Sequence, residues 1–372
     1  MGETMTRASD IVSTATRRFA EAGIQLGRND AADIVMRPEA YAHFLTNGEA
    51  DELGIGGCFQ DGLCREGRMT IDVFTYRRVI AGLYGSPQKT TAGQQSIPKA
   101  LQAVRAHYDL GNDFFKSILD RRHMLYSAAM YCGSTRSLEE AQQKKLLVTG
   151  TKLNPERGDV VLDIGCGFGG LLRFLHDRWG VHGVGITLSA EQAKLARGLN
   201  GNRPIQILEM DYRHLVQREQ RFERIVSVGM FEHVGPENYP EFFGTCKQLL
   251  KPGGSLLLHS IFGGGMNPWL ETNIFPGAEL PLNRQIRDAI RGHFVAMDWH
   301  FFGPSYDKTL MAWRSNMLAA VEELKAAGYD DRFFRTIDYY LLLSAGLFRA
   351  KVTTVGQIHL FHEPQPNYEK VR

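Results

Sequence analysis

Short apolar runs ending in glycine alternate with amphipathic stretches through the middle of the chain, and that alternation sets the expectation for the fold. Asp159–Gly165 is a compact apolar segment, the pattern of a strand buried on both faces. Gly170–Trp179 has its apolar residues at helical spacing, Val181–Thr187 is a second strand, and Ser189 caps a helix reaching about Leu199. Ile205–Glu209 and Arg224–Gly229 are the third and fourth strands, Glu237–Leu250 a further helix, and Ser255–Ile261 a fifth strand. Strands and helices alternating in this way predict an α/β fold with a doubly wound parallel sheet.

Outside that core the pattern changes. From Ala8 to Leu83 short helical and strand-like pieces are interrupted by Gly54, Gly56, Gly57 and Gly62, which predicts a smaller amino-terminal α+β domain over residues 1–83. Residues 84–97 are polar and rich in glycine and serine, a linker composition. Pro98–Lys116 reads as a helix leading into a larger domain over 98–372. Within it Gly263–Tyr306 is rich in glycine and proline and holds Trp269, Phe275, Trp299, Phe301 and Phe302. An irregular aromatic insertion after a strand predicts a lid or pocket wall.

Composition narrows the function classes. With 372 residues, 43% of them hydrophobic and 10% aromatic, the chain can bury a substantial core. A net charge of +2 gives no basis for a nucleic-acid partner. The five cysteines show no metal-ligand spacing, so no metal is expected, and they read as reduced thiols of a cytoplasmic protein. Met1–Asp10 is not apolar and no later stretch is long enough to span a bilayer, although Met1–Thr6 fits the permissive myristoylation pattern.

The candidate chemistry begins at Asp163-Ile-Gly165-Cys-Gly167-Phe-Gly169-Gly170, at a strand-to-helix turn where open α/β sheets bind ligands. Glycines there allow close backbone approach, and the helix amino terminus favours an anionic group. Dinucleotide enzymes share such a turn, but an acid ending the second strand would then hold the ribose. Here that strand ends Gly185-Ile186-Thr187. Asp163, placed before the first glycine, suits the amine of S-adenosylmethionine instead, and a methyltransferase is the favoured reading.

Several long segments then resemble one family. His107-Tyr-Asp-Leu-Gly-Asn-Asp-Phe-Phe115, Leu125-Tyr-Ser127, Val161–Gly170, Val184–Gln192, Arg224–Gly235, Leu256–Ile261, Ile274–Gly277 and Tyr306–Trp313 are similar to the cyclopropane-fatty-acyl-phospholipid synthases, mycolic acid cyclopropane synthases among them. The resemblance is dense from about Lys99 to Lys351 and loose over Gly54–Phe74. It implies methyl transfer from S-adenosylmethionine to the cis double bond of an unsaturated phospholipid acyl chain, giving a carbocation. A bound bicarbonate then takes a proton and the ring closes. Glu232, His259 and Tyr306 match the family's bicarbonate-holding side chains, with backbone contacts at Ala128 and Ile261. A carbocation requires a dry pocket. An anion buried there needs hydrogen bonds, which His259 and Tyr306 can donate, while ionised Glu232 would accept from the bicarbonate hydroxyl. The aromatic set from Trp299 to Phe302 is expected to be pocket wall. S-adenosylmethionine is expected at Asp163, Gly165, Gly167, Thr187 and Gln192, with Tyr126, Ser127, Tyr212 and Arg213 nearby. The substrate further implies a peripheral membrane surface as partner, and a homodimer is compatible with the sequence.

Departures from the family leave alternatives open. Ala128 and Ser344 stand where the family usually has cysteine, and Phe59–Cys64 replaces a stretch where paired tryptophans are common. A fatty-acyl methyltransferase giving a methyl-branched or methylene lipid, a small-molecule C-methyltransferase and a non-catalytic lipid-binding relative are the rivals. Retention of Glu232, His259 and Tyr306 together speaks against the last.

Overall fold

The computed structural model of the chain describes residues 8–21, 24–37, 40, 54–66, 110–263, 266–349 and 351–372. The linker expected over 84–97, the start of the helix expected at Pro98 and the Met1–Thr6 acylation pattern lie outside the described residues. At the amino end come helix α1 (Ala8–Glu21), strands β1 (Leu26–Gly27) and β2 (Ile34–Met36), helix α2 (Gly54–Gln60) and strand β3 (Cys64–Glu66). The three strands form one small sheet, β1 parallel and β3 antiparallel to β2.

Helix α3 (Asn112–Ile118) is only the end of the helix expected from Pro98. Leu110 and Gly111 lie outside it, and Gly111 has φ 91°, an angle that side chains with a Cβ rarely adopt. Helix α4 (Leu138–Leu153) starts at Ser137, whose side chain accepts from the Glu140 N–H at 3.2 Å. Then strand and helix alternate: β4 (Val160–Ile164), α5 (Gly170–Trp179), β5 (His182–Thr187), α6 (Ala190–Asn200), β6 (Ile205–Glu209), β7 (Phe222–Val228), α7 (Tyr239–Leu249) and β8 (Leu250–Phe262). Pro240 in the first turn of α7 explains why that helix begins later than the apolar spacing suggests.

The remaining elements are α8 (Pro268–Asn273), α9 (Asn283–Ala289), β9 (Val295–Phe301), α10 (Pro304–Ala319), α11 (Val321–Ala326), α12 (Asp331–Arg349) and β10 (Thr354–Phe361). Among the described residues the large sheet has seven strands in the order β6-β5-β4-β7-β8-β10-β9. The α/β class holds, but the sheet is mixed rather than wholly parallel. Strand β10 runs antiparallel between β8 and β9, closing the edge that βαβ units alone would leave open. The Gly263–Tyr306 insertion is likewise less irregular than expected. It contains α8, α9 and edge strand β9, and Phe301 on that edge is 41% exposed. Trp299 lies tilted 6.4 Å from the Phe262 ring and Phe301 meets that ring edge-on at 5.3 Å, whereas Phe302 meets the His259 ring at 5.4 Å.

The amino-terminal unit shares its core with the last helices. Phe19, Ile34 and Phe59 belong to one buried cluster with Trp313, Ile337 and Tyr339, and Arg335 of α12 donates to the Gln60 carbonyl at 2.7 Å. Phe59 lies 5.6 Å from the Tyr339 ring. Ser344 is buried within α12. Among the described residues no helix is long and apolar enough to cross a membrane.

Candidate active site

The glycine turn is built by the sheet. Beyond β4 the N–H groups of Gly165 and Cys166 both donate to the Ile186 carbonyl of β5, at 3.0 and 2.9 Å, folding the chain sharply towards α5. Gly165 sits at φ 84°, and a Cβ placed on it would lie 2.7 Å from Cβ of Met230. That closeness, with the angle, restricts the position to glycine.

One cleft is lined by Tyr126, Ser127, Asp163, Gly165, Gly167, Thr187, Gln192, Tyr212 and Arg213, so every residue expected to hold the methyl donor is brought to one place. Thr187 Oγ1 donates to Gln192 Oε1 at 2.9 Å and accepts from the Ser189 N–H at 3.2 Å, tying the end of β5 to the start of α6. Asp211 holds Arg213 by a two-toothed pair at 2.7 Å each, and that guanidinium lies over the Tyr212 ring at 5.4 Å. Tyr126 stacks on Trp313 with ring centres 4.9 Å apart and shares a 2.9 Å hydroxyl bond with Tyr340.

Asp163 is 2% exposed and its Oδ1 has no hydrogen-bond partner. Burial pushes its carboxyl up to about 7 against the pull of Lys145. The same burial brings Lys145 down to about 7, opposed by Asp120 and Asp163. Lys145 Nζ donates to Ser127 Oγ at 2.7 Å, while Gln142 Nε2 donates to the Ser127 carbonyl at 2.9 Å. The sequence reading did not identify Lys145, Gln142 or Asp211. For the first two a trace was present: Gln142, Lys145, Thr149 and Lys152 fall at spacings of three, four and three, a polar stripe down the buried face of α4.

Glu232, His259 and Tyr306 are not part of that cleft's lining, whereas Met230, His233 and Val234, which flank Glu232 in the chain, are. Glu232 lies in a single 3-10 turn, Phe231–His233, and is 5% exposed. Its Oε1 accepts from the Ile261 N–H at 2.6 Å, the Ser260 hydroxyl donates to the Ile261 carbonyl at 3.3 Å, and Oε2 has no partner. Burial pushes this carboxyl above its ordinary range, opposed by the bond from the Ile261 N–H. The Ile261 N–H, expected to meet the anion, is instead committed to Glu232, because the 3-10 turn sets the carboxylate beside β8.

His259 lies within β8, opposite Val228 of β7 and Gln357 of β10. Its Nδ1 is buried without a partner, and burial together with Lys145, Lys152 and His300 keeps the ring neutral. Tyr306 enters from α10, its ring 4.6 Å from Phe348 and 6.0 Å from Trp313. Ala128 is 1% exposed, fixed between Ser127 and Ala129, whose N–H donates to Thr309 Oγ1 at 3.0 Å one turn along α10 from Tyr306.

Comparison with known proteins places this geometry in context. Residues 95–358 match the family model described as mycolic acid cyclopropane synthetase. The cyclopropane-fatty-acyl-phospholipid synthase of Escherichia coli (strain K12) is 41% identical over 360 residues, spanning 92% of this chain and 91% of that protein. Cyclopropane mycolic acid synthase 2 of Mycobacterium leprae is 32% identical over 304 residues, 74% of this chain and 97% of its own length. Among solved structures, the cyclopropane synthase MmaA2 from Mycobacterium tuberculosis superposes with a TM-score of 0.65 at 31% identity, covering 70% of this chain and 97% of that one. The mycolic acid cyclopropane synthase CmaA1 complexed with SAH and CTAB gives the same TM-score, identity and coverage, 0.65, 31%, 70% and 97%.

Proposed function

The chain belongs to the mycolic acid cyclopropane synthetase family, and we propose that it acts as a cyclopropane-fatty-acyl-phospholipid synthase on the cis double bond of a phospholipid-bound acyl chain. The observation that supports this most is the pairing of a donor cleft with a second, separately buried polar set. Asp163 Oδ1 in the first, and Glu232 Oε2 and His259 Nδ1 in the second, are buried polar atoms without partners. Such atoms cost about 1–3 kcal/mol each unless a ligand satisfies them.

When bound, S-adenosylmethionine supplies an electrophilic methyl group and bicarbonate supplies a base. Asp163, Thr187, Gln192, Ser127, Tyr126, Tyr212 and Arg213 would hold the former, and the glycine turn would admit it closely. Glu232, His259 and Tyr306 would hold the latter, with Ile261 fixing Glu232 rather than meeting the anion itself. A neutral His259 can donate one N–H to the anion, and Glu232 would accept from the bicarbonate hydroxyl. Trp313, Phe302 and Phe348 keep water away from Tyr306 and His259. The amino-terminal residues 1–83, which pack on α12 where they are described, would form an accessory lipid-contacting unit, and 98–372 the catalytic domain at a membrane surface.

The experiment is mass spectrometry of phospholipids incubated with the protein and S-adenosylmethionine, with bicarbonate removed and restored. A gain of one CH2 that depends on bicarbonate supports the reading. A product carrying two further hydrogens indicates a saturated methyl branch, and no lipid product under any condition refutes the assignment.

A further inference from the structure

We propose that Lys145, together with the Ser127 hydroxyl it holds, is the residue that recognises the carboxylate of the methyl donor's amino-acid end, opposite Asp163. The inference rests on reading the cleft as the S-adenosylmethionine site and extends that reading to a residue with no assigned part in it.

Three observations converge. Lys145 lines the cleft from the polar stripe of α4, where helical spacing would ordinarily place an apolar residue. Its Nζ carries three donors, and one is spent on Ser127 Oγ at 2.7 Å. The carboxylates that act on it are otherwise placed. Asp120 accepts from the N–H groups of His123 and Leu125, each at 2.8 Å, and so fixes the turn that presents Tyr126 and Ser127. Asp163 leaves Oδ1 without a partner on another wall of the same cleft.

An ammonium kept in a protein interior with a single hydroxyl partner is poorly compensated, and such groups persist where a counter-ion completes them. The cleft therefore presents one amine and one carboxyl with unfilled bonding capacity. A free amino-acid end is a zwitterion whose carboxylate and ammonium complement that arrangement, the carboxylate towards Lys145 and Ser127, the ammonium towards Asp163. Met at position 145 would fill the space on α4 at lower desolvation cost, so packing alone gives no reason for lysine. Lys145 is on this account a specificity residue: it distinguishes a donor or product with a carboxylate from one without.

The test measures binding. Calorimetry would compare wild type and Lys145→Met with S-adenosylhomocysteine and with the same thioether lacking only its carboxylate. Wild type should favour the carboxylate form by about 10–100-fold, the worth of a buried hydrogen bond to a charged group. In Lys145→Met that preference should fall to about threefold or less, with affinity for the decarboxylated ligand changed little. A variant that keeps the full preference overturns the proposal. So does an equal loss for both ligands, which marks a merely structural role. Should the methionine variant not fold, Lys145→Gln retains a donor for Ser127 without the charge, and the same loss of preference is required of it. Failure of the wild type to bind either ligand would refute the reading of the cleft itself, a result distinct from failure of the Lys145 assignment.

Discussion

Replacing Glu232 by glutamine should separate the catalytic use of this residue from its cost to the fold. The carboxyl is 5% exposed, accepts from the Ile261 N–H at 2.6 Å and leaves Oε2 unpartnered, and burial raises its pKa. Glutamine keeps the shape and an acceptor for Ile261 but never ionises. The sign follows from linkage: a carboxyl whose folded pKa is raised contributes stability that is fully present below its unfolded pKa, near about 4.3, and is lost as pH rises through the folded value. Near pH 4 wild type and Glu232→Gln are therefore both neutral at this site and should melt together. At higher pH only the wild type carries a buried charge, and the variant should become the more stable of the two. Each unit by which the folded pKa is raised is worth about 1.4 kcal/mol, or roughly 2–4 °C in Tm for a chain of a few hundred residues. Turnover should meanwhile fall by at least about 10²-fold, as expected on losing acid–base help, with S-adenosylhomocysteine affinity nearly unchanged. Calorimetric melting across pH, paired with a lipid methylation assay, reads both effects. A Tm difference that does not widen with pH, or a variant with full turnover, refutes the reasoning.

Gly165→Val should abolish S-adenosylhomocysteine binding by calorimetry, because φ is 84° there and even a Cβ would come within 2.7 Å of Met230; retained affinity would remove the turn from the donor site. Arg372→Ala should lower Tm at pH 7 by a few degrees, from about 1–2 kcal/mol, since Lys152 still pairs with Asp298 and Arg372 itself is half-exposed. Burial pushes Asp298 up, but bonds from Arg372 and Lys152 hold it down to about 2, so this stability is present above the unfolded value near about 3.9 and is lost as pH falls. The Tm difference should shrink between pH 4 and pH 2; a difference constant over that range would contradict the ion-pair account.

What could be read from the chain divides along physical lines. Strands β4 to β8 and helices α5 and α6 were legible to within a few residues, because buried parallel strands and amphipathic helices write their periods directly into the sequence. The donor cleft was legible for the same reason: its residues lie at strand ends and in the turns that follow. Strands β9 and β10 were not, since their pairing with β8 depends on segments distant in sequence and on burial that alternation alone does not reveal. The aromatic residues of β9 suggested a pocket wall, yet period two along an edge strand sends Trp299 and Phe301 to the rim of the sheet. The upward shift of the Glu232 carboxyl also escaped, because it depends on desolvation by the whole surrounding fold.

The stripe on α4 shows why the polar residues of such a site are harder to find than its glycines. A glycine turn announces itself by what it lacks, whereas Gln142, Lys145, Thr149 and Lys152 look like the solvated face of an ordinary helix. Only the structure places them inward: Gln142 and Lys145 hold the Leu125–Ser127 segment, Thr149 accepts from Gln357 at 2.9 Å, and Lys152 pairs with Asp298 at 3.0 Å. The segment they hold also bears on the second polar set. Tyr126 stacks on Trp313, Trp313 meets the Tyr306 ring edge-on, and the N–H next to Ala128 is bonded to α10. A displacement of Tyr126 therefore reaches Tyr306 through one fully buried indole, and close-packed interiors transmit such shifts rather than absorb them. One polar helix face thus fixes the donor cleft and, through Trp313, the placement of the residue expected to meet the anion.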